Sequence, residues 1–543
     1  MTTAWLNRYI FFISASIGIA LFLALYGFPI VNPLNTQWLL AGGDLTQHYI
    51  GWQFFEQSGW TFPIGIAQDL AYPHGLAITF TDSIPLMAIV TKFLFGFVNE
   101  PIQYFGIWSL LNFALIASIS ALIIRRWTTN TFVIICAALL PLMLPIMLTR
   151  MFQHTALAGH WILLMGIWIL LSISKAETKR FILWWSACLI LSVMIHPYFV
   201  IMNLFFLVTA LVWNYRSLRD AALRLTAPVI AAIVATWTIG GFTIRSVGAD
   251  DLGKYGFDIA SPFNSQTWSS IYGPSFSNNG ESVGYLGIGF VLLLVTSLSI
   301  FVIKRKNIKK RLRLRRWQIL TIVSLAVMLL LVAMSPKVFV GGVLVVEYNL
   351  PSAIEKAWSV FRATARIAWP LYYIVLFGAL YVLIKYPVTK KSYMMPMILA
   401  IVVLLQAIDI YRSPQAIARS ERAYAVIDMQ YSTEMTNKKW DAIAAGKKHL
   451  VYLDAGLYGK DFRDLAELCI RHGMTINNGY FARSPFIAIQ QTIDIAKKEV
   501  ASGLLRKDTV YVYKTGTEGI IVSPDIKDVH ELDNFIVIST KER

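Results

Sequence analysis

The chain has 543 residues, of which 56% are hydrophobic and only 15% are charged, and its mean hydropathy is +0.58. This composition excludes a soluble globular protein and predicts a polytopic integral membrane protein. The net charge of +17 does not indicate nucleic-acid binding, because the first 411 residues hold the excess, with 29 Lys and Arg against 14 Asp and Glu. Their basic residues form short clusters between apolar runs, which is the positive-inside pattern of cytoplasmic loops and of contact with anionic lipids.

The apolar runs predict eleven transmembrane helices, because a helix needs about 20 residues to cross about 30 Å of hydrocarbon. The first run follows Arg8 and is interpreted as an uncleaved anchor, since no clear small-residue cleavage site follows it. The predicted spans are residues 9–28, 105–124, 131–148, 157–174, 181–195, 197–213, 225–242, 284–303, 317–334, 367–384 and 392–409.

The segment from Ile30 to about Tyr104 is predicted to lie on the outer side and to contain an interfacial helix. Its apolar stretch Ile84–Val98 is placed in the interface, because a crossing there would move every later basic cluster to the outer face. With a cytoplasmic N-terminus, eleven crossings put the C-terminus outside. Three arginines directly after the last span are atypical of an outer face: Arg412, Arg419 and Arg422.

Residues 412–543 are predicted to form a small α/β domain on the outer side, accessory to a membrane domain of residues 1–411. Short β-rich runs alternate there with helical stretches. The predicted strands are His449–Leu453, Val510–Tyr513, Gly519–Val522 and Phe535–Ser539, and the predicted helices lie around Lys438–Ala445 and Asp461–His472.

Polar residues of the membrane domain collect on the predicted outer side. All five of its histidines and all of its acidic residues except Glu177 and Asp220 fall there. Polar groups at membrane depth are energetically costly and tend to be functional. The plainer interpretation is that outer loops are exposed to water and are polar for that reason. The candidates near span ends are Arg150, His154, His160, His196, Arg362 and Arg366.

The first outer segment is the densest in candidate groups. If Leu45–Phe55 is helical, Asp44 and His48 stand one turn apart on one face. Asp82 precedes Ser-Ile-Pro at the start of the interfacial helix. Both aspartates also fit the alternative role of a helix N-cap.

Several strings of this chain are similar to those of a group of bacterial membrane proteins of GT-C character. They are GGDLTQHYIGW, YPHGLAITFTDSIPL, RMFQHTALAGHW, MIHPY and FRATARIAWPLYY. A long first outer segment, with an early Asp and an Asp-x-x-Pro before an amphipathic helix, resembles the GT-C superfamily of membrane glycosyltransferases. The resemblance implies a mainly α fold, a polytopic transmembrane helical bundle with interfacial helices in the first outer segment, next to the small C-terminal α/β domain.

The resemblance further implies transfer of a sugar from a polyprenyl-phosphate carrier, with Asp44 at the position of the family's central acidic residue. Many relatives carry two acidic residues there, whereas this chain has one, so no metal ligands are assigned and a divalent cation stays open as a cofactor. We expect Asp44 to act as general base, with Asp82 and His48 as further catalytic candidates.

The departing phosphate needs positive charge, which arginine supplies through a planar fork that donates two hydrogen bonds. Arg362 and Arg366 are predicted to face the same way on one helix and to bind the phosphate together. An interfacial anchor is the alternative role for this pair. Arg150, His154, His160 and His196 complete the predicted phosphate site, although a satisfied helix-end histidine is the simpler interpretation of each imidazole alone.

The expected partners are a polyprenyl-phosphate-linked sugar donor, a glycan or lipid-linked acceptor, and membrane lipids, with no nucleic acid. The expected location is the bacterial inner membrane, with the C-terminal domain in the periplasm. A transporter or flippase of a lipid-linked precursor is one alternative, but the sequence shows neither repeated halves nor charged mid-membrane helices. An O-antigen polymerase or ligase type of enzyme, also outward-facing with Arg and His, is the other.

Overall fold

The computed structural model describes residues 8–40, 42–98, 100–173, 176–244, 252–277, 281–311, 315–386, 393–419 and 433–540. The chain divides into two compact units. The first unit comprises Met1–Val31, Phe105–Ile233 and Ser246–Tyr424, and the second comprises Asn32–Tyr104, Val234–Arg245 and Ala425–Arg543. The second unit therefore joins the first outer segment to the C-terminal residues.

The described helices, in chain order, are α1 Ile10–Tyr26, α2 Asp44–Gln57, α3 Pro85–Phe95, α4 Phe105–Ile124, α5 Thr131–Leu139, α6 Pro145–Leu148, α7 Trp161–Ile173, α8 Thr178–Ile195, α9 Pro197–Trp213, α10 Leu218–Thr238, α11 Ile288–Arg311, α12 Arg316–Met334, α13 Ser352–Ser359, α14 Trp369–Lys385, α15 Met394–Tyr411, α16 Lys439–Ala444, α17 Gly459–His472 and α18 Phe486–Ser502. The strands are β1 Ile66–Ala67, β2 Leu76–Ala77, β3 Lys337–Val340, β4 Val343–Glu347, β5 His449–Tyr452, β6 Thr475–Ile476, β7 Thr509–Lys514, β8 Val529–Leu532 and β9 Phe535–Ile538.

Long apolar helices confirm the polytopic membrane fold. Among the described residues, eight helices are long and apolar enough to cross a membrane, and each coincides with a predicted span. The other three predicted spans are shorter apolar helices, at Ile10–Tyr26, Thr131–Met143 and Pro197–Trp213. The hydropathy pattern therefore located a helix at every predicted crossing.

Close helix packing in the first unit depends on a small residue. A methyl group added at Gly18 of α1 would lie 2.5 Å from the Phe113 carbonyl oxygen of α4. Small residues permit such close approach of backbones where lipid gives no hydrophobic driving force between helices. By contrast, Gly378 on α14 has open space around it.

Helix α3 has the properties expected of the interfacial helix. Its 11 residues span about 16 Å, roughly half of the hydrocarbon thickness. Phe93 and Leu94 on it and Phe97 just beyond it are exposed apolar side chains. Lys92 instead turns inward, where its ammonium donates to the carbonyl oxygens of Phe55 and Ser58 at 2.6 Å each. The helix thus has an apolar side for lipid and a side that packs within its own unit.

The C-terminal part of the second unit is the predicted small α/β domain. Its five-stranded sheet has the order β6-β5-β7-β9-β8, with β5 parallel to β6 and β7, and with β9 antiparallel to both of its neighbours. Val451 and Tyr511 of the sheet, with Leu453 just after β5, pack against Ala496 and Val500 of α18 in a buried core. This helix was not predicted.

The predicted strand Gly519–Val522 is wrong. Gly519 has a φ of 76°, and the segment forms turn and irregular structure without strand pairing. Its apolar residues Ile520 and Val522 nevertheless pack against the domain core. The hydrophobic pattern therefore predicted correctly that these residues are partly buried against the core. It did not predict the backbone hydrogen bonds, which do not form a strand ladder in this segment.

The first outer segment pairs directly with the C-terminal domain inside the second unit. Leu70 forms a parallel bridge with Ile476, whose N–H donates to the Asp69 carbonyl at 2.8 Å and whose carbonyl accepts from Tyr72 N–H at 3.0 Å. The Tyr72 ring also stacks on His449 at 4.3 Å between centroids. Both segments consequently belong on the same side of the membrane.

One of the atypical arginines after the last span has a structural role. The Arg419 guanidinium donates to the carbonyl oxygens of Leu148 and Thr149, at 3.2 and 3.1 Å, and lies over the Trp268 ring. Carbonyl oxygens at the end of α6 thus supply the negative partner for this cation. Its position does not require an inner face. Arg422 lies outside the described residues.

Cysteine labelling tests the topology. In a chain whose three cysteines are replaced by alanine, we expect Thr61→Cys and Lys439→Cys to react with an impermeant reagent from the outer side, and Lys309→Cys to react only after the membrane is opened. Labelling of Lys309→Cys in intact cells without labelling of Thr61→Cys would contradict the orientation. Asn278 and Arg543, which the sequence also places outside, lie outside the described residues.

Candidate active site

Asp44 is the first residue of α2 in the second unit. Gly43 precedes it at the N-cap position with a φ of 67°, a left-handed conformation that glycine adopts without strain. The interpretation of Asp44 as N-cap is therefore wrong, because that position has no side chain. The Asp44 carboxylate instead accepts a hydrogen bond of 3.1 Å from the Tyr480 hydroxyl of the C-terminal domain. A domain predicted to be accessory thus contacts the leading catalytic candidate.

Asp82 and His48 lie together in the second unit, as an acid and an imidazole 4.0 Å apart. His48 is fully buried on α2, and its carbonyl oxygen accepts a 2.8 Å bond from the Ser83 hydroxyl. Asp82 and Ile84 both have positive φ, 53° and 51°, so this short segment holds backbone strain. Ile84, not Asp82, takes the N-cap position of α3. The capping role proposed for Asp82 is wrong.

The Asp82–His48 pair offers a carboxylate oxygen and an imidazole nitrogen, ligand types that divalent cations accept. Both residues belong to a group whose side chains could hold a metal ion. The same two groups are suited to moving a proton, because an adjacent carboxylate orients and stabilises a protonated imidazole.

A second buried acid lies farther along α2. Burial raises the pKa of Glu56 to about 8, although Lys92 and Gln53 oppose the shift. Burial likewise lowers the pKa of Lys92 to about 8, against the raising effects of Asp69 and Glu56. Burial therefore favours the protonated form of Glu56, which lies about 18 Å along the helix from Asp44. It is poorly suited to replace Asp44 as base.

In the first unit, a carboxylate joins residues from two other segments of the chain. Glu281 accepts two hydrogen bonds from Arg150, at 2.9 and 3.3 Å, and two from Arg366, at 2.8 and 2.9 Å. The His154 Nε2 lies 3.7 Å from the same carboxylate. Arg150 is 3% exposed, Arg366 8% and Glu281 15%. We call Arg150, His154, Glu281 and Arg366 the arginine cluster.

The arginine cluster holds more positive than negative charge in a nearly buried place. Burial alone would raise the pKa of Glu281, but the guanidiniums of Arg366 and Arg150 hold the pKa of this carboxyl well below its usual range. The carboxylate therefore stays charged and fixes both forks. Two guanidiniums held in fixed positions by one carboxylate form an arrangement of the type that binds anions through charge-assisted hydrogen bonds.

Aromatic rings support both guanidiniums. Arg366 lies over the Tyr198 ring at 5.2 Å, and Arg150 lies over the Trp369 ring at 5.7 Å. His196 takes the N-cap position of α9, where its Nδ1 accepts from the Tyr198 N–H at 3.3 Å. This histidine therefore orients Tyr198 rather than an anion directly.

His160 is also engaged in packing. It is fully buried, its Nδ1 forms a 2.7 Å hydrogen bond with the Tyr373 hydroxyl, and its ring lies 4.5 Å from that of Trp369. It thus packs beside the ring that supports Arg150. Of the three histidines predicted for the phosphate site, only His154 contacts the cluster carboxylate.

Arg362 and Arg366 do not share a helix face. Arg366 lies on a 3-10 helix, Thr364–Ala368, and Arg362 precedes it in a bend. The chain turns at Ala363, whose N–H donates to the Tyr198 hydroxyl at 2.9 Å. The exposed Arg362 lies instead over the Tyr255 ring at 5.6 Å. The prediction of a same-facing pair is wrong, since the helical spacing does not extend back to Arg362.

Glu281 and Tyr480 were not singled out from the sequence. Glu281 is one of many acidic residues predicted on the outer side, and only its place shortly before a span distinguishes it. Tyr480 lies 436 residues from Asp44, and nothing in the sequence links the two. Both residues owe their roles to tertiary contacts.

Apolar helices with polar clusters in the loops that connect them define the chain as a multi-pass membrane protein. A family model for a domain of unknown function, DUF6311, matches residues 15–411, and a DUF6311 C-terminal domain matches residues 439–540. The chain therefore belongs to the DUF6311 family. Comparison with curated protein sequences found no match.

Solved structures that are similar to this chain include three proteins. The arabinofuranosyltransferase AftD from Mycobacteria is 12% identical with a TM-score of 0.47, over 95% of this chain, which spans only 35% of that protein. The oligosaccharyltransferase of Archaeoglobus fulgidus is 13% identical with a TM-score of 0.41, over 94% of this chain and 70% of the other. ArnT from Cupriavidus metallidurans is 11% identical with a TM-score of 0.45, over 97% and 100%.

Proposed function

We propose that this chain is a membrane glycosyltransferase. It moves a sugar from a polyprenyl-phosphate carrier to a surface glycan or other envelope acceptor at the outer face of the bacterial inner membrane, with its C-terminal domain in the periplasm. The observation that carries the proposal is the arginine cluster, in which two nearly buried guanidiniums share one carboxylate. Phosphate is the anion that such forks suit best.

The cluster would act on the leaving group. During transfer, the bond between the anomeric carbon and the phosphate oxygen breaks, and negative charge grows on the departing polyprenyl phosphate. Guanidiniums fixed in advance by Glu281 stabilise this charge without reorganising at the moment of reaction. His154, beside the carboxylate, is able to donate a further hydrogen bond.

The acceptor side requires a base. The acceptor hydroxyl oxygen forms the new bond to the anomeric carbon, and its proton passes to a carboxylate. Asp44 is the first candidate because it stands at the start of α2 within reach of Tyr480, whose hydrogen bond fixes its orientation. Asp82 with His48 is the second, since the pair is able to accept and pass on a proton.

An O-antigen polymerase or ligase type of enzyme is the second candidate. The contact of His154 with a carboxylate that two arginines share would also suit such an enzyme. Helix α3 weighs against it, because an interfacial helix in the first outer segment is the feature that the GT-C resemblance implies. Dependence of transfer on a carrier with a single phosphate would support the glycosyltransferase.

Arg366→Lys tests the phosphate role. The variant keeps the charge but loses the bidentate fork, so we expect binding of a polyprenyl phosphate in nanodiscs to weaken by about tenfold, the loss of roughly one charge-assisted hydrogen bond. Arg224→Lys is the matched control, because Arg224 is also buried in the first unit and pairs with a carboxylate, that of Asp220, at 2.9 Å. Unchanged affinity in Arg366→Lys, or equal loss in both variants, would remove Arg366 from the phosphate site.

A further inference from the structure

The second unit contains a cavity of about 400 Å³ next to Asp44. Residues at the start of α2 line one side, and residues at the start of α17 and the loop after β6 line the other. The lining residues are Gly42, Gly43, Thr46, Gln47, Tyr458, Gly459, Lys460, Phe462, Arg463 and Tyr480. The volume lies in the range of small-molecule sites, about 300–1,000 Å³. Neither the family match nor the mechanism above assigns this cavity a role.

Aromatic groups dominate one side of the cavity. The rings of Tyr458 and Tyr480 lie 6.2 Å apart at a steep angle, and the buried Phe462 lines the same cavity. Tyr458 is 59% exposed, so its ring is accessible to a ligand. The C–H face of a sugar ring is weakly positive and packs on the negative face of an aromatic ring.

A hydrogen-bond donor without a partner lines the same cavity. Gln47 is only 2% exposed, and its side-chain nitrogen has no hydrogen-bond partner among the described residues. A buried unpaired amide costs free energy that a ligand hydroxyl would recover. In addition, the N-cap residues of α2 and α17 are Gly43 and Tyr458. Neither of them accepts a side-chain hydrogen bond from the backbone N–H groups in the first turn of its helix.

The charges around the cavity favour a neutral ligand. Lys460 pairs with Glu434, and Arg463 contacts Asp464 at 3.4 Å and the Leu40 carbonyl at 3.0 Å. The two cations are thus already balanced by carboxylates, and Asp44 adds a further negative charge beside Tyr480. An acidic saccharide would meet these carboxylates, whereas neutral hydroxyls are able to accept from Gln47 and donate to Asp44.

We propose that this cavity binds a neutral saccharide ring of the acceptor, stacked on Tyr458 and Tyr480, with a hydroxyl directed toward Asp44. The inference rests on the proposed function and names its acceptor class. It assigns Tyr480 two tasks, since its ring would contact the sugar and its hydroxyl would orient Asp44. The C-terminal domain would then be a direct part of the acceptor site.

Binding to the full chain in nanodiscs tests the proposal without any transfer reaction. The probes are methyl glucoside, methyl galactoside, methyl mannoside and their disaccharides, with glucuronate as the acidic comparison, all measured by saturation-transfer NMR. We expect at least one neutral probe to bind more tightly than glucuronate. Tyr458→Ala and Tyr480→Ala should each weaken that binding by about tenfold, whereas Tyr480→Phe should retain it because the ring remains.

Gln47→Met gives a signature that a structural role would not produce. The variant removes an unpaired buried amide and keeps its volume, so we expect weaker saccharide binding with an unchanged or higher melting temperature. Lys514→Ala is the matched control for variants near α17, because Lys514 pairs with Asp461 of this helix at 2.7 Å and does not line the cavity.

Three results would overturn the inference. They are absence of binding by every neutral probe, preference for glucuronate, and an equal loss of binding in Lys514→Ala. Because polyprenyl-phosphate binding is measured separately with Arg366→Lys, loss of the acceptor inference is distinguishable from loss of the proposed function.

Discussion

Asp44→Asn should reduce sugar transfer by about 10²–10⁴-fold while polyprenyl-phosphate binding stays unchanged, because the variant removes a general base but not a phosphate contact. Asparagine keeps the size of the side chain and still accepts the hydrogen bond that Tyr480 donates. Asp44 is not an N-cap, so a loss of helix stability does not explain such an effect. Single-turnover transfer with a labelled donor, alongside a thermal melt, measures both properties.

Asp82→Asn is the informative comparison for this prediction. If Asp82 with His48 were the base, Asp82→Asn would carry the large loss and Asp44→Asn would be nearly normal. Normal turnover in Asp44→Asn would therefore remove Asp44 as base and direct attention to the Asp82–His48 pair. Both variants must retain the melting temperature of the wild-type protein before their rates are compared.

Glu281→Gln should destabilise the first unit by about 3–5 kcal/mol, because it leaves two buried guanidiniums without their shared carboxylate. Glu347→Gln is the matched control, since Glu347 is half exposed and pairs with Lys337 at the surface, where an ion pair contributes at most about 1 kcal/mol. We also expect polyprenyl phosphate or inorganic phosphate to raise the melting temperature of Glu281→Gln more than that of the wild type. An anion would then replace the missing charge.

The pH dependence gives a second check on Glu281. Its pKa in the folded protein lies well below the ordinary value of 4.5, so its stabilisation is complete above about pH 4.5 and is lost as the pH falls through the lowered value. The difference in stability between wild type and Glu281→Gln should therefore be constant at neutral pH and shrink in acid. A Glu281→Gln protein as stable as Glu347→Gln, with no added response to phosphate, would contradict the role assigned to the cluster.

The membrane helices were predictable because their signal is local. A span is a continuous apolar run, and α4 Phe105–Ile124 matches its predicted range of residues 105–124. The interfacial placement of α3 was predicted for a different reason, since a crossing there would move every later basic cluster to the outer face. Strand pairing is less local, so Gly519–Val522 gave a strand pattern although its apolar residues pack without forming a ladder.

The candidate site was predictable only in part. Arg150, His154 and Arg366 were chosen individually, but the carboxylate that joins them lies 131 residues from Arg150 and 85 from Arg366. Helical spacing wrongly paired Arg366 with Arg362, because the chain bends at Ala363. Contacts of this kind depend on how distant loops meet, and spacing within one segment carries no information about that.

Transfer by the purified full chain tests the central claim most directly. The protein in nanodiscs is supplied with polyprenyl-phosphate-linked sugars labelled in the sugar, together with envelope glycan extracted from a strain that lacks the protein. We predict that one donor is consumed, that label appears in the glycan, and that an equal amount of free polyprenyl phosphate is released. Donors that all bind yet remain intact, or release of label to water at the same rate with and without acceptor, would contradict the assignment as a glycosyltransferase.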